Sequence, residues 1–225
     1  MKPRISPLLL ASILAAIAAC TQPSAPAAPA VTAAPAATAT PATTAMPDRK
    51  AETRTAMRKL WEDHITYTRN YIISALAGLP DTDAVAARLM KNQDEIGAAI
   101  KPYYGDAAGD KLAGLLRDHI SQAAEVVKAA KGGDKAQLDA AQAKWSANGK
   151  EIAAFLSGAN PNWAKADLEA MLQKHLDLTS GEVVARLHKD WAADIKAYDE
   201  GHEHMLMFAD ALTDGIAKQY PEKFQ

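Results

Sequence analysis

From Asp48 to Gln225 no stretch alternates apolar and polar residues with period two, while apolar side chains recur three and four positions apart in segment after segment. A half-buried strand needs the first pattern and a buried helix face needs the second. This part of the chain is therefore restricted to helices packed on helices. Turn signals divide it at Gly78-Leu79-Pro80-Asp81, Pro102-Tyr103-Tyr104-Gly105, Gly132-Gly133-Asp134, Gly158-Ala159-Asn160-Pro161 and Thr179-Ser180-Gly181-Glu182. Asn160 before Pro161 reads as a helix cap and first turn, Thr179 with Glu182 as a capping box, and Asp134 with Gln137 resembles one. The segments between predict helices over 49–77, 83–101, 106–131, 134–157, 163–177 and 182–219. Short connections favour antiparallel neighbours. The expected fold is all-α, an up-and-down antiparallel bundle of four long helices plus shorter ones, with the fifth segment a short helix leading into a long last one. No internal repeat at a fixed period is evident.

Ahead of the domain lies an address. Lys2 and Arg4 form a positive n-region, and Leu8 to Ala19 follow without a charge. That run is short for a bilayer span and has the length of a signal h-region. It ends Ile17-Ala18-Ala19-Cys20, the pattern of a bacterial lipobox, in which small residues admit the peptidase and the cysteine thiol takes the lipid. The alternative is an ordinary secretory signal with a chance cysteine. The lipobox reading makes 1–19 the signal peptide, Cys20 the lipidation site with diacylglyceryl and palmitate-like chains, and the protein a membrane-anchored lipoprotein of the cell envelope. Residue 21 is Thr and not Asp. In a Gram-negative host this favours the outer membrane, facing the periplasm.

Residues 20–47 complete the tether. Beyond the cysteine they contain only Ala, Pro, Thr, Ser, Val, Gln and Met. Without charge or aromatic side chains such a segment cannot bury enough surface to offset its conformational entropy. Extended toward polyproline II, it would reach on the order of 80 Å at about 3.1 Å per residue. The remaining 48–225 suit one domain with a real core.

Composition excludes several function classes. Cys20 is the only cysteine, and acylation leaves the domain no thiol. Disulfides, zinc-thiolate sites, iron–sulfur clusters, cysteine nucleophiles and covalent haem attachment are all excluded. Without Lys2 and Arg4 the chain has 23 basic and 27 acidic residues, with no basic run and no basic–aromatic interleaving. Nucleic acid is thus not an expected partner, and the membrane link is the lipid. No G-x-S-x-G elbow, phosphate loop or dinucleotide fingerprint occurs, so the sequence offers no catalytic motif.

The apolar stripes are interrupted in a patterned way. His64, Asn92, His119 and Asn148 fall near the middle of their helices, and His202 near the middle of the long last one. Helix midpoints in an antiparallel bundle lie at one height, so three imidazoles and two amides are expected to share a core layer. Buried polar groups cost free energy unless each finds a partner. One reading is a metal site with His64, His119 and His202 as ligands. Neutral imidazole is the commonest metal ligand, and bundle cores build sites from facing helices. Asn92, Asn148, Asp63, Asp118 and Asp199 would stand around the ligands, and Tyr67, Tyr71, Trp191 and Tyr198 would roof the layer. Zinc or copper suits three histidines with an open position; Met205 and Met207, beside His202 and His204, tilt toward copper as thioether donors, with Met205 a candidate further ligand, and the alternative for both is core packing. The Glu-x-x-His pairs of a di-iron bundle are absent, and non-covalent haem would need a large cavity. The other reading is a hydrogen-bonded cluster that only fixes helix register. His175, His188 and His204 read as surface or packing histidines, and Arg69 as part of a solvated face.

These residues carry a resemblance. Leu60-Trp61-Glu62-Asp63-His64, Ala77-Gly78-Leu79-Pro80-Asp81, Lys91-Asn92-Gln93, Lys101-Pro102-Tyr103-Tyr104-Gly105-Asp106, Asn160-Pro161-Asn162-Trp163, His175-Leu176-Asp177-Leu178-Thr179 and His202-Glu203-His204 are similar to stretches of an uncharacterised family of small bacterial helical proteins. The resemblance covers nearly all of the domain and implies a helical bundle. Some relatives carry glycosyltransferase or acetylglutamate kinase labels. The nucleotide-binding motifs and alternating strands of those folds are missing from this chain. Three functions remain open: a metal-binding envelope lipoprotein, a structural or interaction module with a satisfied polar layer, and an enzyme using the same histidines.

Overall fold

The computed structural model describes residues 48–225; the segments expected to be signal peptide and tether, with Cys20, lie outside them. Six α-helices follow in order: α1 (Arg49–Ala77), α2 (Thr82–Tyr104), α3 (Asp106–Gly132), α4 (Lys135–Ala159), α5 (Lys165–Leu187) and α6 (Trp191–Gln219). A 3₁₀ turn, Pro221–Phe224, ends the chain. Each helix packs on the next, and α6 returns to α1, so the bundle closes as a ring. The odd helices also meet across the centre, α3 with both α1 and α5. Among the described residues no helix is long and apolar enough to cross a membrane.

Local chemistry explains most boundaries. Asp48, Asp134 and Asp190 accept backbone N–H groups of the first turns of α1, α4 and α6, which satisfies donors that a helix start leaves free. Gly78 and Gly133 end α1 and α3 in the left-handed region, at φ 67° and 75°, where a missing Cβ removes the steric cost.

Asn160 does not cap the fifth helix but ends α4, its Oδ1 taking the Asn162 N–H, and α5 starts at Lys165. Two further boundaries differ from expectation by more than two residues, and all six helices are long. α5 does not stop at Thr179 but runs through Gly181 to Leu187. The Thr179 hydroxyl donates to the His175 carbonyl one turn back, and Glu182 accepts from Arg69 of α1, so neither residue is free to cap a helix. The break falls at His188–Asp190, with Lys189 at φ 60°, the one described non-glycine residue with positive φ. At the other correction, Pro102 stands inside the last turn of α2, which continues to Tyr104.

The main core joins Met57, Trp61, Ile96, Leu112, Leu116, Ile152, Leu172, Phe208 and Leu212, with all six helices contributing. Two close approaches need glycine. The Gly97 and Gly109 backbones cross so tightly that a Cβ on Gly97 would stand 2.5 Å from the Gly109 carbonyl oxygen. A Cβ on Gly215 would stand 1.9 Å from Nε1 of Trp163.

Candidate functional site

A layer of buried imidazoles does cross the middle of the bundle, but its members are His64, His119 and His175. They project from α1, α3 and α5, the helices that meet at the centre. The His175 ring centroid lies 5.6 Å from that of His64 and 5.9 Å from that of His119. All three are at most 2 % exposed. Burial is the main cause that lowers their pKa values, to about 3 for His64 and about 4 for His119, and well below the usual value for His175. Mutual repulsion of the charged forms adds to the effect for His64 and His175. All three rings are neutral at physiological pH.

The hydrogen bonds assign the protons. Nδ1 of His119 faces Oδ1 of Asn148 at 2.8 Å, while Nε2 accepts from the Trp145 indole at 3.1 Å. An indole nitrogen can only donate, so Nε2 is the bare nitrogen and Nδ1 carries the hydrogen. Asn148 turns its amide N–H to the Leu115 carbonyl. Both nitrogens of His119 are thereby used. Nδ1 of His64 donates to Gln93, whose amide N–H groups go to Leu89 and Asn92, and Asn92 donates to the Leu60 carbonyl.

His202 is not part of this layer. It lies partly exposed on α6, with Nε2 3.3 Å from Glu62. Asn92 and Asn148 are in the layer, as expected. Asp63 pairs with Lys59 and Arg88 on the outer face, and Asp118 and Asp199 are exposed. Met205 is buried core. The expected roof is dispersed: Tyr67 packs under Arg88, Tyr198 under Arg69, and Trp191 is exposed. Among the described residues no group of three or more His, Cys, Asp or Glu side chains is placed to hold a metal ion. The space just above the layer, lined by Thr68, Tyr71, Ala123, Trp145 and Thr179, is an apolar cavity of about 20 Å³. That is room for roughly one water molecule and not for a macrocycle.

The layer exposes a repeat that the sequence reading did not find. Three helical hairpins, α1–α2, α3–α4 and α5–α6, carry equivalent residues with a period of about 56. His64, His119 and His175 correspond, as do Asn92, Asn148 and His204. Buried apolar positions follow the same steps: Met57, Leu112 and Leu168; Ile72, Val127 and Val183; Ile96, Ile152 and Phe208. The left-handed turn residues Gly78, Gly133 and Lys189 do so as well. One bond recurs in each hairpin. A polar side chain of the even helix donates to the carbonyl four residues before the histidine: Asn92 to Leu60, Asn148 to Leu115, His204 to Met171. Conservative apolar exchanges hide the period in the sequence, and only the bonded polar positions make it plain.

Arg69, expected on a solvated face, belongs instead to a second buried polar network. Arg69 donates to Glu182 at 2.7 Å and to Asp194 at 2.9 Å, and Arg186 donates to Asp194 from the other side. Asp194 and Glu182 are buried. Burial raises the Glu182 pKa to about 7, against the pull of Arg69. This network ties the end of α5 and the start of α6 to α1.

Comparison with known family models, curated proteins and solved structures finds no match.

Proposed function

We propose that the domain is the rigid globular part of a lipid-anchored cell-envelope protein, an interaction module whose polar layer fixes the register of three repeated hairpins. One observation carries this reading: His119 is hydrogen bonded at both ring nitrogens while fully buried. A ring so engaged has no lone pair for a metal or a substrate, and removing either partner leaves a costly orphan. The same role accounts for Asn92, Gln93 and Asn148, which contact one another or backbone and ring atoms inside the layer. A zinc or copper centre built from His64, His119 and His202 has no comparable support, since His202 stands apart on the surface. The lipobox at Cys20 and the uncharged tether supply the anchoring half of the proposal.

Expression of the full chain in a Gram-negative host tests both halves. Mass spectrometry of the membrane-bound protein should show an acylated N-terminal Cys20 peptide, absent in Cys20→Ser. Metal analysis of the same preparation should show His119→Asn and wild type to be indistinguishable. An unmodified, soluble wild-type chain would remove the anchor, and metal lost on replacing His119 would remove the structural role.

A further inference from the structure

The third hairpin lacks a bond that the other two have: His64 gives its Nδ1 hydrogen to Gln93 and His119 gives its own to Asn148, in each case to an amide oxygen on the even helix. Asn148 does two things at once: its amide N–H goes to the carbonyl four residues before His119, and its oxygen takes the His119 Nδ1 hydrogen. His204, at the equivalent position, keeps only the first. Its Nε2 donates to the Met171 carbonyl at 2.7 Å, which places a ring hydrogen on Nε2 and leaves Nδ1 as the nitrogen that can offer a lone pair. His175 accordingly has a buried Nδ1 with no hydrogen-bond partner. A local rule broken without a compensating bond marks a position kept for another purpose.

The replacement exchanges an amide, a poor ligand for soft metals, for an imidazole, a good one. A ring N–H held by a backbone carbonyl is the usual second partner of a metal-bound histidine. Two thioethers flank the pair along the same helices. Met171 precedes His175 by one turn of α5, and Met207 follows His204 by one turn of α6. Met207 is 56 % exposed, so packing does not account for it. His204 itself is half-buried and gives the position access from solvent. Nitrogen and thioether donors select a soft ion, and a single charge is the least costly to hold beside a buried ring.

We infer that the α5–α6 seam carries a site for a soft, singly charged metal ion of the copper(I) class, with Nδ1 of His204, the free nitrogen of His175 and the Met207 thioether as donors. The site is separate from the register-fixing bonds of His64 and His119, and its metal uptake does not depend on the lipid anchor. Acylation leaves no competing thiol at Cys20.

The test is copper(I) titration of the full acylated chain in detergent, under ascorbate and against a competing chromophoric chelator. Wild type should bind one equivalent. His204→Asn should weaken binding at least about tenfold and raise the melting temperature, because the amide restores the bond that Asn148 makes. Met207→Leu should weaken binding with the melting temperature unchanged, and Trp145→Phe should leave affinity unchanged. A wild-type chain without stoichiometric uptake would overturn the site, as would full affinity in His204→Asn. A lower melting temperature in that variant would overturn the claim that His204 stands there at a cost to the fold.

Discussion

Trp145 donates its indole N–H to Nε2 of His119 across 3.1 Å, and this one bond decides which nitrogen of a fully buried ring carries the hydrogen. With the tautomer set, Asn148 must present its oxygen to Nδ1 and its N–H to Leu115. Trp145→Phe keeps much of the ring's bulk but leaves Nε2 without a donor. The expected loss is about 1–3 kcal/mol, the cost of a buried unsatisfied acceptor, read from urea denaturation of variant and wild type. An unchanged midpoint would show that the layer does not depend on this bond.

The three imidazoles also set the response to acid. Their folded pKa values lie below the unfolded value, so their stabilising contribution is complete above pH 6.5 and is lost as pH falls below it. Glu182 has the opposite sign. Its folded pKa is raised to about 7, so between pH 4.5 and 7 the folded chain holds the proton that the unfolded chain releases. Three histidines against one carboxyl give a net loss of about 2–3 kcal/mol per pH unit from pH 6 to 5. Denaturation series at several pH values should show that slope, and His64→Gln should reduce it by about one proton's share.

Asp194 and Glu182 share Arg69, but their removal should differ. Asp194→Asn withdraws the charge that Arg69 and Arg186 both use, and about 3–5 kcal/mol should be lost. Glu182→Gln leaves Arg69 its bonds to Asp194 and removes a carboxyl that burial already disfavours. Thermal unfolding at pH 8 should place it within about 1 kcal/mol of wild type. Equal losses would mean that the two carboxylates act as one unit.

Lys189 occupies the left-handed position that its equivalents fill with Gly78 and Gly133. Lys189→Gly should therefore stabilise the chain by about 1 kcal/mol, the penalty an L side chain meets there. A decrease in midpoint would show that Lys189 makes a contact worth more than the strain.

Gly215→Ala should do the reverse. The added methyl would overlap the Trp163 indole, whose N–H is held by the Ala211 carbonyl. Overpacking of this kind costs about 1–3 kcal/mol, and Trp163 emission should shift as the indole is displaced.

Much of the fold was legible because helix periodicity and glycine turns survive in a single sequence. The candidate site was legible only as far as the helix boundaries were right. Taking midpoints as a common height identified His64 in α1 and His119 in α3 correctly, since both helices ended where expected. The same reasoning failed for the last pair for one reason. Thr179 and Glu182 looked like a capping box, which moved the break between α5 and α6 by nearly three turns. That shift put His175 at a helix end and His202 at a midpoint. With the break at Lys189, His175 is central in α5 and His204 takes its place on α6. Nothing local distinguishes the two breaks, because Glu182 is withdrawn from capping by Arg69, distant in sequence. The long-range ion pair decides the boundary, and the boundary decides which histidines meet.

The closed ring has a mechanical consequence. Helix α1, which receives the chain from Asp48, is held along its length by α2 on one side and by α6 on the other. On the second side Arg58 with Asp210, and Arg54 and Lys50 with Asp214, form successive rungs. A load directed along α1 would act on all of these contacts together. The bundle then resists as a joint in shear, in which no single contact can be peeled away before the rest.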